Sequence, residues 1–181
     1  MGGDPLRALS GAADVGPMRP AYRVRQFRAH LRARVTAEER AAAHAVLPPR
    51  AAAVFDAMPV ADQRHAIDVL HRLRATGQTD PDLLAAALLH DAGKGRRIRL
   101  SHRVATVLVE AVAPSRLAGL GSPDPASWRY PFYLQSHHEA LSAEAALDAG
   151  CGPRVAAFIA GTAEPRDAQL AAALRAADAA S

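Results

Sequence analysis

The chain has 181 residues, a formal net charge of +4 and an apolar half in which aromatics supply only 4% of residues, so alanine carries much of that half and the balance tilts toward helices. This length suits one domain that buries its own core, and the single Cys151 excludes an internal disulfide and fits a reducing compartment. No stretch reaches the roughly 18 apolar residues of a membrane span, and residues 1–20 lack a signal-peptide pattern, so secreted, fibrous and membrane-spanning classes fall away and a cytoplasmic domain with no membrane partner is expected.

Residues 1–20 are rich in Gly, Pro and Ala without periodicity, which predicts a flexible leader before a domain over 21–181. Residues 22–33 suit a basic helix, with arginines at 23, 25, 28, 32 and 34. Such a cluster can meet phosphate backbones or anionic lipid, although the modest net charge suits a solvated face better. Thr36 with Glu39 three residues later is a capping box that opens the next helix, which ends before Pro48-Pro49. A short helix spans 49–58. Pro59 then suits the first turn of a longer helix that stops at Gly77.

Asp80-Pro81 opens a helix over 82–91 that is apolar nearly all round, which marks it as central, and Gly93 and Gly95 are its stop signals. A further apolar helix is expected over 101–112. The stretch 114–131, punctuated by Pro114, Gly119, Gly121, Pro123, Pro125 and Pro131, reads as a surface loop. A long helix follows to Ala149 and ends at Gly150 and Gly152. Helices over 153–162 and 167–180 complete an all-α, single-domain helical bundle.

Periodicity sets several polar residues on apolar faces. His65 falls in the stripe Ala61, His65, Val69, Leu73, and the central helix ends in His90-Asp91. Asp178 continues the line Leu170, Leu174, and His138 that of Leu134, with Leu141 and Ala145 beyond. A lone His on such a face is ordinarily a hydrogen-bonded core residue, and Asp178 in a last turn can simply be exposed. A buried carboxylate, however, costs several kcal/mol unless it is paired or bound to a metal. A cation held by all of these groups satisfies them together. Imidazole and carboxylate donors suit divalent Mn, Fe, Co, Ni or Zn, and the scattered ligands without a thiolate do not fit a zinc finger. His137 points away from His138, and His30, His44, His71 and His102 show no pairing pattern.

His65, LLHDAGK at 88–94, HHEALSAE at 137–144 and LRAADAAS at 174–181 together resemble the HD-domain (His-Asp) metal-dependent phosphohydrolase superfamily, over about residues 50–181. The resemblance implies an HD-type helical bundle in which His65, His90, Asp91 and Asp178 hold a divalent ion (Mn, Fe, Co, Ni, Zn or Mg). It implies that Lys94, the sole lysine of the chain, meets the substrate phosphate, with Arg96 and Arg97 adding anion attraction. His138 would serve a second ion or protonate the leaving group. Ser142 stands where the family usually has glycine, and Gly161 or Thr162 where relatives with two ions carry a histidine, so one ion, or a weakly held second, is implied.

The implied activity is phosphomonoester or phosphodiester hydrolysis of a small phosphorylated compound, a nucleotide among the candidates. It would proceed by attack of metal-bound hydroxide on phosphorus, with Asp91 orienting the nucleophile. The chain lacks the signatures of cyclic-di-GMP phosphodiesterases and of (p)ppGpp hydrolases. Homodimers are common among HD proteins. The competing reading is a non-catalytic HD module that binds a nucleotide or a partner protein; a third is nucleic-acid binding through residues 22–34.

Overall fold

The computed structural model describes residues 34–94 and 121–181, and among these every regular element is helical. The predicted leader, the basic helix over 22–33, the helix over 101–112, the first part of the 114–131 loop, and Arg96 and Arg97 lie outside the described residues. No described helix is long and apolar enough to cross a membrane.

Helix α1 (Ala37–His44) begins at the predicted capping box: Thr36 Oγ1 accepts from the Glu39 amide, and the Glu39 carboxylate accepts from the Thr36 amide. Helix α2 (Pro49–Ala57) and helix α3 (Val60–Ala75) each follow a proline at the N-cap, where a fixed φ helps and no amide is lost from the ladder. Gly77, at φ +81°, turns the chain away after α3, which is the stop the sequence predicts.

Helix α4 (Pro81–Leu89) starts at Asp80, whose carboxylate accepts from the amides of Asp82 and Leu83. All residues from Leu83 to Leu89 are buried, as expected of a central helix, and α4 packs against α3 and, later in the chain, α6 and α7. It ends earlier than predicted, with His90 as its C-cap, and runs into a 3-10 turn, Ala92–Lys94. Gly93 therefore lies inside that turn and does not act as a helix stop.

Residues 121–129 form a loop without regular structure, consistent with the proline and glycine punctuation. Helix α5 (Tyr130–Asp148) ends at Gly150, φ +88°, where the Cys151 amide bonds back to the Ala146 carbonyl. Gly152 is not part of that stop; it caps helix α6 (Pro153–Ile159). A 3-10 turn (Pro165–Asp167) leads into helix α7 (Ala168–Ala179), which buries Ala171, Leu174 and Ala177. Helix α7 packs on α3 and α4, while α5 lies across the 3-10 turn after α4. Three helices thus meet around the C-terminal end of α4.

Candidate metal centre

His65 stands mid-way along α3, on the side that also buries Val69 and Leu73. His90 caps α4 and Asp91 follows it, and Asp178 sits in the last turn of α7. These residues are far apart in sequence and are joined by the packing of α3, α4 and α7 on one another.

One ligand atom each from His65, His90 and Asp91 lie within 4.8 Å of one another. Asp178 joins them from the side: its Oδ1 is 2.8 Å from His65 Nε2 and 3.5 Å from His90 Nε2. The two imidazole rings have centroids 5.3 Å apart. His90 Nδ1 lies 2.9 Å from the Ala87 carbonyl oxygen. A carbonyl can only accept, so Nδ1 carries the proton and Nε2 of the neutral ring turns a lone pair toward the cluster.

Asp91 is the least solvated member, at 2% exposure, against 47% for the Asp178 side chain. Asp178 is thus not the inward carboxylate that periodicity suggested; its helix is in its last turn, and only Oδ1 reaches the histidines. Lys94 Nζ lies 2.6 Å from Asp91 Oδ2 and 2.5 Å from Oδ1. Only the Oδ2 contact has hydrogen-bond geometry, so Asp91 Oδ1 and His90 Nε2 are buried without a hydrogen-bond partner. A desolvated polar atom left unpaired costs about 1–3 kcal/mol. The two atoms lie 3.6 Å apart and are both of metal-ligating types, which fits a divalent cation beside the Asp91–Lys94 ion pair.

The electrostatics agree. Asp91 and Asp178 both lie at C-terminal ends of helices, where the backbone dipole is negative and repels a carboxylate. Burial, the largest influence on Asp91, pushes its carboxyl upward, but His90, then Lys94 and His65, together hold it below the usual range. His65, hydrogen-bonded to Asp178 at 2.8 Å, and then His90, 3.5 Å away, hold the Asp178 carboxyl well below the usual carboxylate range despite burial. Burial pulls His90 down most strongly, yet Asp178 and Asp91 outweigh it and the net shift is upward. The site demands positive charge, whether protons or a cation supply it.

No family model, no curated protein and no solved structure matches the chain. The chemistry of the site therefore carries the functional argument. His65, His90 and Asp91 can hold a metal ion, and Asp178 is placed to share it. The remaining predicted site residues divide. Lys94 is beside the cluster, on Asp91. His138 is half-buried on α5; its backbone carbonyl lies against Gly93, and its ring is not in the group formed by His65, His90 and Asp91. Gly161 and Thr162 are exposed beyond the end of α6. His137 is exposed and stacks on Tyr133, and His44 pairs with Asp56.

Two contacts that sequence reasoning missed hold the ligands in place. Arg72 Nε donates to Ser181 Oγ at 3.0 Å, tying α3 to the segment just past Asp178. Ser142, fully buried on α5, accepts from the Gly93 amide at 2.8 Å. The sequence signals for the second were a lone hydroxyl in ALSAEAA and its place where the resembled family usually has glycine.

Proposed function

We propose that the protein is an HD-type metal-dependent phosphohydrolase acting on a small phosphorylated compound. The observation that carries the reading is the grouping of His65, His90 and Asp91 ligand atoms within 4.8 Å of one another, with Asp178 against the two histidines and the chain's only lysine on Asp91. When bound, a divalent ion supplies Lewis acidity and lowers the pKa of coordinated water from about 15.7 to about 7.

The protein's own groups would then act as follows. His65, His90 and Asp91 would hold the ion, with His90 oriented by its bond to Ala87 and the Asp91 carboxylate also keeping Lys94 in place. Lys94 neutralises charge on the phosphoryl oxygens, where electrostatic stabilisation does most of its work. Arg96 and Arg97, two and three residues on, add anion attraction. His138, whose backbone carbonyl lies against Gly93, would donate the proton to the departing alkoxide.

The test is elemental analysis of the purified protein, with turnover measured on p-nitrophenyl phosphate, its bis ester and common nucleotides in Mn²⁺, Co²⁺, Ni²⁺ or Mg²⁺. The expected result is a stoichiometric metal with turnover that His90→Ala abolishes. Metal without turnover would favour a binding module instead. Absence of metal after reconstitution would mean that the histidines and aspartates satisfy one another.

A further inference from the structure

The 3-10 turn that carries Lys94 lies directly on the backbone of α5. A Cβ built on Gly93 would be 2.6 Å from the His138 carbonyl oxygen, 2.7 Å from Leu141 Cβ and 2.7 Å from the Ser142 nitrogen. No side chain fits there, so glycine is what permits the approach. At the point of closest approach the Gly93 amide donates to Ser142 Oγ at 2.8 Å, and Ser142 is 0% exposed. Serine gains nothing intrinsic from a mid-helix position, and it is flanked here by Leu141 and Ala143. Its hydroxyl has a definite use: it takes a part-buried amide that α5, whose own amides and carbonyls bond to one another, would otherwise leave unpaired.

The residue so anchored is two positions after Asp91 and one before Lys94. The Lys94 amide bonds back to the Asp91 carbonyl at 3.1 Å, which closes the turn, so fixing the Gly93 peptide fixes both neighbours. The Asp91 carboxylate and the Lys94 ammonium, 2.6 Å apart at Oδ2, are thereby set against α5. The hydroxyl gives the close packing of the turn on α5 a directional contact that fixes its register.

We propose that Ser142 is a positioning residue: its buried hydroxyl anchors the Gly93 amide and so sets where the Asp91 carboxylate and Lys94 ammonium stand relative to His65 and His90. The consequence for metal binding rests on the phosphohydrolase reading; the anchoring itself does not. In the HD resemblance this position is usually glycine, which has no acceptor to offer, so the device belongs to this chain's own sequence.

The chain's single lysine makes the test direct. Protein labelled with ¹³C-lysine gives one side-chain signal, that of Lys94, and ¹⁵N labelling reports the Gly93 amide. Ser142→Ala is expected to keep its helical circular dichroism, to shift or broaden both signals, and to raise the Kd for Mn²⁺ by about 10–100-fold, the usual effect of losing an outer-shell support. Phe55→Leu, a core change in α2, should lower the melting temperature while leaving both signals and the Kd as they were. Unmoved signals in Ser142→Ala, or equal movement in both variants, would overturn the proposal. If Ser142→Ala does not fold, hydrogen exchange of the native Gly93 amide decides: protection like that of α5 amides supports the anchor, and exchange as fast as in the 121–129 loop refutes it. Should the native protein bind no Mn²⁺, the phosphohydrolase reading fails, and the two NMR signals still decide the anchor.

Discussion

The two ends of α4 carry similar residues to opposite effect. At its N-terminal end Asp80, Asp82 and Asp167 all bond to Arg154, with contacts of 2.8–3.0 Å, and every partner is accounted for. Carboxylates there are also favoured by the helix dipole. The C-terminal end holds His90, Asp91 and Lys94 in a drier place, with the dipole reversed, Asp91 ion-paired to Lys94, and Asp91 Oδ1 and His90 Nε2 without a hydrogen bond. A saturated cluster with a favourable dipole is structure. A desolvated cluster with an unfavourable dipole and ligand atoms lacking hydrogen bonds can hold a cation, and that contrast distinguishes the candidate site from the Arg154 network.

The contrast is tested most severely by removing one carboxylate at the C-terminal end and the guanidinium at the other. Asp91→Asn should destabilise the metal-free protein by about 3 kcal/mol, because it leaves the Lys94 ammonium part-buried and unpaired. Arg154→Met should cost much less, and its effect should shrink in salt because that network is partly exposed. Metal sharpens the difference. At a free ion concentration near 100 times Kd, the native protein and Arg154→Met should gain about 2.7 kcal/mol, and Asp91→Asn nothing. Thermal melts with and without EDTA measure both effects; equal losses at the two ends would break the comparison.

A smaller effect concerns the glycines that follow α3 and α4. Gly93→Ala should destabilise by about 1–3 kcal/mol, since the neighbours of the new Cβ are mostly backbone atoms that cannot yield. Gly77→Ala meets nothing within 4 Å and pays only for φ +81°, about 1 kcal/mol. Only the first should also weaken metal binding, which parallel urea and metal titrations would show.

The smallest effect is that of pH on the metal-free protein, because Asp178 is half exposed. Its depressed carboxyl contributes stability that is present above the unfolded value of about 3.9 and is lost as pH falls through the folded one. His90, raised, contributes stability that is full below about 6.5 and is lost as pH rises through its folded value. Stability should therefore peak between about pH 4 and 6.5 in EDTA and move to higher pH with metal, which needs neutral imidazole. An Asp178→Asn protein with an unchanged pH profile would contradict this.

Much of the helical framework was legible in the residues themselves. Thr36 with Glu39, Pro59, Asp80 with Pro81, and the left-handed Gly77 and Gly150 act locally, so the sequence places them without reference to the rest of the chain. The candidate ligands His65, His90 and Asp91 were legible for a related reason, since a polar group on an apolar face is conspicuous wherever it is buried. Gly93 misled because a glycine after a helix reads as a stop, while its actual neighbour is a helix some fifty residues away. The stripe of His138 was legible only in part: beyond Leu134 the buried side of α5 runs through Ser142, Ala143, Ala146 and Ala149, while Leu141 and Ala145 are only partly buried.

The sequence by itself determined that the described chain is helical, where most of its helices start and stop, and that His65, His90 and Asp91 stand on apolar faces. Only the tertiary structure decided that they are one another's neighbours, that Asp178 reaches them from half-exposed surface, and that Ser142 fixes the turn between Asp91 and Lys94. The physical reason is range. Caps and periodicity are set by residues a few positions apart, whereas a converging set of lone pairs depends on how α3, α4, α5 and α7 pack.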